Sequence, residues 1–201
     1  MTTSGITATV IIVILVVLRF LANRAAQLMT DPSKDVLTAF LNRRGFDHAV
    51  AETERSGDSY GAIIAINLDQ FKNMNDRLGR AGGDRLLVSV AAILRSHCDN
   101  FGVVARTSGD EFIILVKRSH SVAAETLAEA VRVSIGGLAL AGFSDDFRIT
   151  TSIGLAYRDA DELIENACRR ADIALYVAKG TGRNRVVIAE GAALHASFAG
   201  S

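Results

Sequence analysis

Apolar positions along this chain come in three patterns, and each predicts a different element. The first is an unbroken run near the N-terminus. Ile6 to Leu18 carries no charge, and apolar character resumes after Arg19 through Phe20, Leu21 and Ala22. Residues 1–22 thus supply the roughly 20 residues a bilayer core needs, with Arg19 placed to snorkel. Basic residues lie at or after the C-terminal end of the run (Arg19, Arg24, Lys34), which predicts a single-pass anchor with the remaining chain in the cytoplasm, at the inner membrane. A cleaved signal peptide would need a basic leading region and a small-residue cleavage site, and neither is present. Residues 23–34 read as a linker containing Pro32, the only proline of the chain.

The second pattern is the short apolar run bounded by polar residues. Ala62 to Leu68 (AIIAINL) predicts a central strand buried on both faces, with Asn67 its only polar member. Gly102 to Val116 (GVVARTSGDEFIILV) contains two such runs around Thr107–Glu111, which predicts a β-hairpin. Ile149–Ala156 and Arg185–Ile188 predict two further strands.

The third pattern is helical spacing. A helix is expected from Thr38 (TAFLNRRGFDHAVAETERS), broken at Gly57–Ser59. Leu86, Val90, Ile93 and Leu94 predict a second helix, preceded by a polar, glycine-bearing loop over Asp69–Asp84. Ala123, Leu127, Ala130 and Val131 mark a third. A fourth spans Asp161–Lys179 and stops at Gly180-Thr181-Gly182. The interleaving gives an α/β sandwich, an α+β fold with a mixed, largely antiparallel sheet and a β-α-β-β-α-β core. The folded domain is placed at 35–189, and the small, polar tail 190–201 is expected to be disordered.

Composition narrows the chemistry. With 22 basic and 22 acidic residues there is no overall field to recruit nucleic acid, so any polyanion must be held by a few placed cations. Cys98 and Cys168 lack metal spacing and read as reduced residues, while the four scattered histidines make a zinc site improbable. The hairpin turn stands out because Asp110 and Glu111 sit side by side between strands too apolar to be exposed. Acidic turns are common for conformational reasons alone. Adjacent carboxylates at a buried hairpin also suit a divalent cation close to phosphate. The strand–loop–helix at Leu68–Leu86 could present backbone N–H groups and Lys72 to phosphate, although no Walker spacing is present.

Six blocks then fall in one order: DVLTAFLNRRGF (35–46), NLDQFKNMND (67–76), GRAGGD (79–84), RTSGDEF (106–112), TSIGLA (151–156) and ADIALYVAKGTGRNRV (171–186). Together they resemble the GGDEF family, the diguanylate cyclases, which condense two GTP into cyclic di-GMP on a fold similar to nucleotide cyclases and polymerase palms. The resemblance implies that Asn75 and Asp84 read the guanine, and that backbone N–H groups around Gln70, Phe71 and Lys72 cradle phosphates. Ser108 and Gly109 of the signature would lie against the nucleotide, and Lys179 and Arg183 would hold its terminal phosphates. Asp110, Glu111 and the Leu68 carbonyl would hold Mg²⁺ or Mn²⁺, with Glu111 also helping to deprotonate the attacking 3′-hydroxyl. It further implies a homodimer, since each site handles one GTP and two must face each other.

Three departures from the family pattern bear on these expectations. Asn67 stands where the family has its first metal carboxylate, and offers a neutral oxygen only. Losses in the shell around a metal cost about 10–100-fold in affinity or activity, so this change should cost at least as much. Asp69 could compensate only through an altered loop. Ser108 replaces the first signature glycine and would cost about 1–2 kcal/mol if that position required a left-handed backbone. The product-inhibition motif would fall on Asp99–Gly102, where its Arg and Asp are both missing, so no inhibitory site is expected. Asn67 keeps a second reading open, a domain that binds GTP and regulates an unidentified partner without turnover. A purely structural dimerisation domain leaves unexplained why Asn75, Asp84, Lys179 and Arg183 are all present.

Overall fold

The computed structural model describes Arg19 and residues 31–56, 60–139 and 148–190. The predicted anchor (Arg19 aside), most of the linker, the break at Gly57–Ser59 and the tail beyond Glu190 lie outside the described residues. Among the described residues no helix is long and apolar enough to cross a membrane.

The apolar run predicted as the central strand is β1 (Tyr60–Leu68), and every residue from Gly61 onward is buried. It sits in the middle of a five-stranded sheet of order β2-β3-β1-β4-β5, where β2 is Gly102–Ser108, β3 Glu111–Lys117, β4 Thr151–Tyr157 and β5 Val186–Ile188. β1 pairs antiparallel with β3 and β4, β2 with β3, and only β4–β5 is parallel. The mixed sheet and the β-α-β-β-α-β order agree with the sequence reading.

Strand alternation gives the sheet two apolar faces. Ile64, Ile66 and Leu68 pack against Leu86, Val90 and Leu94 of α2 (Phe71–Cys98) and against Leu127, Val131 and Ile135 of α3 (Ala124–Gly136). On the opposite face, Ile63 and Ala65 meet Phe46 and Val50 of α1 (Arg43–Ser56) and Ala167, Ala171 and Leu175 of α4 (Ile164–Gly180). Burial pushes the thiols of Cys98 and Cys168 up to about 12, so both stay protonated and inert at neutral pH.

Two expectations are corrected. The first helix begins at Arg43 rather than at Thr38. Asp35 accepts hydrogen bonds from the Thr38 N–H (2.8 Å) and hydroxyl (2.6 Å), which closes a turn in place of a helix start. The chain then passes through a left-handed Ala39 (φ 60°), and Leu41 runs along the edge of β2, bridging to Ala105. The second correction is the loop expected over Asp69–Asp84, which is helical from Phe71 onward. Phe71, Met74 and Leu78 share one face and pack on the core, so burial outweighs the polar residues between them. Gly79 (φ 67°, ψ 169°) kinks the helix there, a conformation that favours glycine.

Candidate functional site

The hairpin turn is tighter than the sequence suggested. Ser108 lies opposite Glu111, so Gly109 and Asp110 alone make the turn. Ser108 is not among the left-handed residues of the described chain, which outside glycine are Ala39, Gln70, Arg183 and Asn184. The strain considered for serine at this position is therefore absent. Arg106 holds the turn from below, donating to the Gly109 carbonyl from Nε (3.1 Å) and Nη2 (2.7 Å). The same guanidinium donates to both Asp35 oxygens at 3.0 and 3.1 Å, tying the turn to the segment before α1.

The turn docks on the end of β1. The Leu68 N–H donates to the Asp110 carbonyl at 3.2 Å, and Asn67 lies opposite Glu111 in the β1–β3 ladder. Asn67, the Leu68 main chain, Asp110 and Glu111 are thus brought together at one strand end. Asn67 is buried, and no described residue hydrogen-bonds its side-chain amide. Two carboxylates, an amide oxygen and a backbone carbonyl form an all-oxygen donor set that fits Mg²⁺, which is commonly held by one or two carboxylates together with substrate phosphate. No group of three or more His, Cys, Asp or Glu side chains able to hold a metal occurs among the described residues, in keeping with the missing carboxylate at Asn67.

Asp69 is not free to replace it. Its carboxylate accepts from the Ser152 hydroxyl (2.7 Å), the Thr150 hydroxyl (2.6 Å) and the Asn184 N–H (3.1 Å).

Next along the chain, Gln70 takes a left-handed backbone (φ 56°, ψ 28°) and caps α2 without a side-chain hydrogen bond. Phe71 and Lys72 therefore open a helix whose first N–H groups have no side-chain cap, a suitable phosphate cradle. Within the kinked helix, the Asn75 side chain reaches Gly83, the residue before Asp84. A Cβ on Gly83 would fall 1.8 Å from the Asn75 Oδ1, so the Asn75 side chain occupies the space a larger residue would need.

Lys179 and Arg183 fall on either side of the end of α4. Lys179 lies half-buried in the last turn of α4, whereas Arg183 is exposed in the turn beyond it, its N–H donating to the Ala178 carbonyl at 2.9 Å. Glu111 and Lys179 line one cleft of about 710 Å³ between α1 and α4, which Arg43, Asp47, Glu54 and Asp172 also line. Sequence reasoning missed Arg43 and Asp172. For the latter a signal existed, because Asp172, Tyr176 and Lys179 recur at helical spacing on one face of α4. Burial, and then the charge of Glu111, raise the Asp172 carboxyl above its ordinary value, against the pull of Arg43.

Comparisons with known proteins place the chain in a family. The family described as "Diguanylate cyclase, GGDEF domain" matches residues 33–185. Diguanylate cyclase DgcM of Escherichia coli is 36% identical over 159 residues, covering 77% of this chain and 38% of that protein. Diguanylate cyclase A of Treponema denticola is 33% identical over 172 residues, covering 82% and 46%. The chain thus spans less than half the length of these two relatives. Among solved structures, the GGDEF domain of DgcB from Caulobacter crescentus in complex with c-di-GMP superposes with a TM-score of 0.72 at 33% identity, covering 80% of this chain and 98% of that one.

Proposed function

This chain belongs to the GGDEF, or diguanylate cyclase, family, and from that premise we propose that it condenses two molecules of GTP into cyclic di-GMP. The observation that carries the reading is the Asp110–Glu111 turn, hydrogen-bonded onto the end of β1 where that strand feeds the uncapped start of α2. Asn75 and Asp84 read the guanine edge. N–H groups at Gln70, Phe71 and Lys72, with the cations of Lys179 and Arg183, hold the triphosphate. Glu111 receives the proton of the attacking 3′-hydroxyl from the GTP facing it. The new bond joins that 3′-oxygen to the α-phosphorus, and the bond to the β-phosphate oxygen breaks, releasing pyrophosphate. Two such attacks close the ring. Mg²⁺ or Mn²⁺, held by Asp110, Glu111, the Leu68 carbonyl and the Asn67 amide oxygen, would neutralise charge on the phosphates.

Each site holds one GTP, so the working unit is a homodimer with two sites face to face. The apolar segment 1–22, with Arg19 placed to snorkel near its end, anchors it as a single-pass protein of the inner membrane, with the catalytic domain in the cytoplasm.

The test is to incubate the purified full chain in detergent with GTP and Mg²⁺ or Mn²⁺ and assay cyclic di-GMP, beside Glu111→Ala and Asn67→Asp. Product that vanishes in Glu111→Ala is the expected result, with Asn67→Asp faster by about 10-fold or more. Asn67 favours one alternative, a GTP-binding regulator. GTP binding without product, with synthesis appearing only in Asn67→Asp, would establish that reading instead.

A further inference from the structure

Three of the four left-handed, non-glycine residues of the described chain gather around one carboxylate. Gln70 (φ 56°) directly follows Asp69. Arg183 (φ 60°) and Asn184 (φ 45°) form the turn beyond α4, whose Asn184 N–H donates to Asp69 Oδ2 at 3.1 Å. Left-handed residues other than glycine carry strain, which persists only where the surroundings hold it.

The surroundings here are specific. Asp69 is buried, and its own position is fixed from β4 and the residue before it. The Ser152 hydroxyl donates to Oδ1 (2.7 Å), the Thr150 hydroxyl donates to Oδ2 (2.6 Å), and the Asp69 N–H donates to the Thr150 carbonyl (2.8 Å). From the outer side, Arg132 of α3 donates to the Asn184 Oδ1 at 2.9 Å and is itself paired with Glu129. The strained turn is thus held between a buried anion and a surface guanidinium.

From this geometry we infer that Asp69 is a positioning residue for triphosphate binding, fixing the turn that carries Arg183 against the corner that opens α2. The inference rests on the reading of Arg183 and the α2 N–H groups as phosphate ligands, and adds a residue that touches neither substrate nor metal. These ligands come from segments more than 100 residues apart in sequence. Asp69 joins them directly, being covalently next to Gln70 and hydrogen-bonded to the residue after Arg183. Its two oxygens accept all three hydrogen bonds at once. An amide at the same place would keep one acceptor oxygen for the Asn184 N–H, while the Ser152 hydroxyl could turn to accept from its NH₂ group. Asp69→Asn should therefore weaken the tie, and Asp69→Ala should remove it.

The experiment measures dissociation constants of the full chain for GTP and for guanosine 5′-monophosphate, which lacks the terminal phosphates. Asp69→Ala is expected to weaken GTP by about 10-fold or more, with the monophosphate nearly unchanged. Asp69→Asn should fall between, weakening GTP by about threefold. A folded Asp69→Ala with native GTP affinity would overturn the inference, as would loss of both nucleotides by one factor. Should Asp69→Ala not fold, Asp69→Asn decides in the same way: a loss confined to GTP supports the inference, and unchanged or equally reduced affinities overturn it. Native protein that binds no GTP would overturn the proposed function, and this inference with it. Native binding with both variants unmoved would overturn this inference alone.

Discussion

Replacing Arg106 with alanine tests how the Gly109–Asp110 turn is held. Its guanidinium makes four hydrogen bonds, two to the Asp35 carboxylate (3.0 and 3.1 Å) and two to the Gly109 carbonyl (3.1 and 2.7 Å). The Arg106 and Asp35 side chains are only 13% and 23% exposed. Exposed ion pairs contribute about 0–1 kcal/mol, and breaking a fully buried one costs about 3–5 kcal/mol. At this intermediate burial Arg106→Ala should cost about 2 kcal/mol, or roughly 4–8 °C in melting temperature for a domain of this size. A double-mutant cycle with Asp35→Ala should return a coupling of about 1 kcal/mol. Lysine should not rescue the variant, because it lacks the planar fork that reaches carboxylate and carbonyl together. Cyclic di-GMP synthesis should lose turnover more than GTP affinity, since Asp110 lies in the loosened turn and Glu111 directly follows it. The dependence on pH has a definite sign. Burial alone would raise the Asp35 carboxyl, but hydrogen bonds from Thr38 and Arg106 and the Arg106 charge outweigh it, leaving the value below the ordinary one. A depressed carboxylate contributes stability that is complete above its unfolded pKa, about 3.9, and is lost as pH falls through its folded value. The gap in melting temperature between native and Arg106→Ala should therefore be full at neutral pH and shrink below about pH 4. Equal melting at pH 7, or a gap that persists unchanged at pH 3, would refute the clamp.

Two other variants probe the site from different sides. In Gly83→Ala the new Cβ would lie 1.8 Å from the Asn75 Oδ1, and the amide, being the far end of a side chain, is what must move. GTP affinity should drop about 10-fold and discrimination against ATP should narrow, both read by competition binding, while the melting point holds or rises because alanine is favoured over helical glycine by about 1 kcal/mol. In the cleft, the raised Asp172 carboxyl means that its ionisation opposes folding, an effect present at neutral pH and absent once pH falls below the unfolded pKa. Asp172→Asn should thus melt higher than native protein at pH 7 and converge with it near pH 3, and a native protein that melts higher at pH 7 would contradict the assignment.

The sheet could be read from sequence because its strands are dense in β-branched and aliphatic residues and are punctuated by polar breaks, as at Ala62–Leu68 and on either side of Gly109. The second half of the helix Phe71–Cys98 could be read too, from Leu86, Val90, Ile93 and Leu94, but its first half up to Asp84 could not, and its glycines explain why. Gly82 and Gly83 look like breakers, yet both sit inside the helix. A Cβ at Gly82 would lie 2.5 Å from the Leu78 Cβ, and at Gly83 the Asn75 amide takes the space. The Leu78 contact requires glycine at 82, the Asn75 amide fills the space beside 83, and periodicity carries no record of either contact. Thr38 misled for a related reason. A threonine ahead of apolar residues is a usual helix start, but its partner is Asp35 behind it, and Asp35 is in turn held by an arginine 71 residues ahead.

The candidate site divides along the same line. Asp110 and Glu111 stand out locally, since two adjacent acids between apolar strands are conspicuous wherever they occur. Lys179 is legible from its place in the last turn of a helix. The groups that hold these residues in place carry no local mark. The three partners of the Asp69 carboxylate, Thr150, Ser152 and Asn184, lie 81, 83 and 115 residues away. The sequence offers Asp69 and Asn67 as two polar residues on one strand face, with Asp69 able to stand in at a metal only through an altered loop. Only the fold separates them. β4 lies alongside β1 so that Ser152 opposes Asn67, and its hydroxyl together with that of Thr150 engages the carboxylate two residues further on. The residue that keeps its charge is thereby committed to backbone geometry, while the residue left beside Glu111 is the neutral one. Of Asn67, Asp69, Asp110 and Glu111, only the two hairpin acids offer a cation at this strand end a carboxylate not already engaged by β4, which is why the four hydrogen bonds of Arg106 to Asp35 and Gly109 bear on the proposed chemistry as well as on stability.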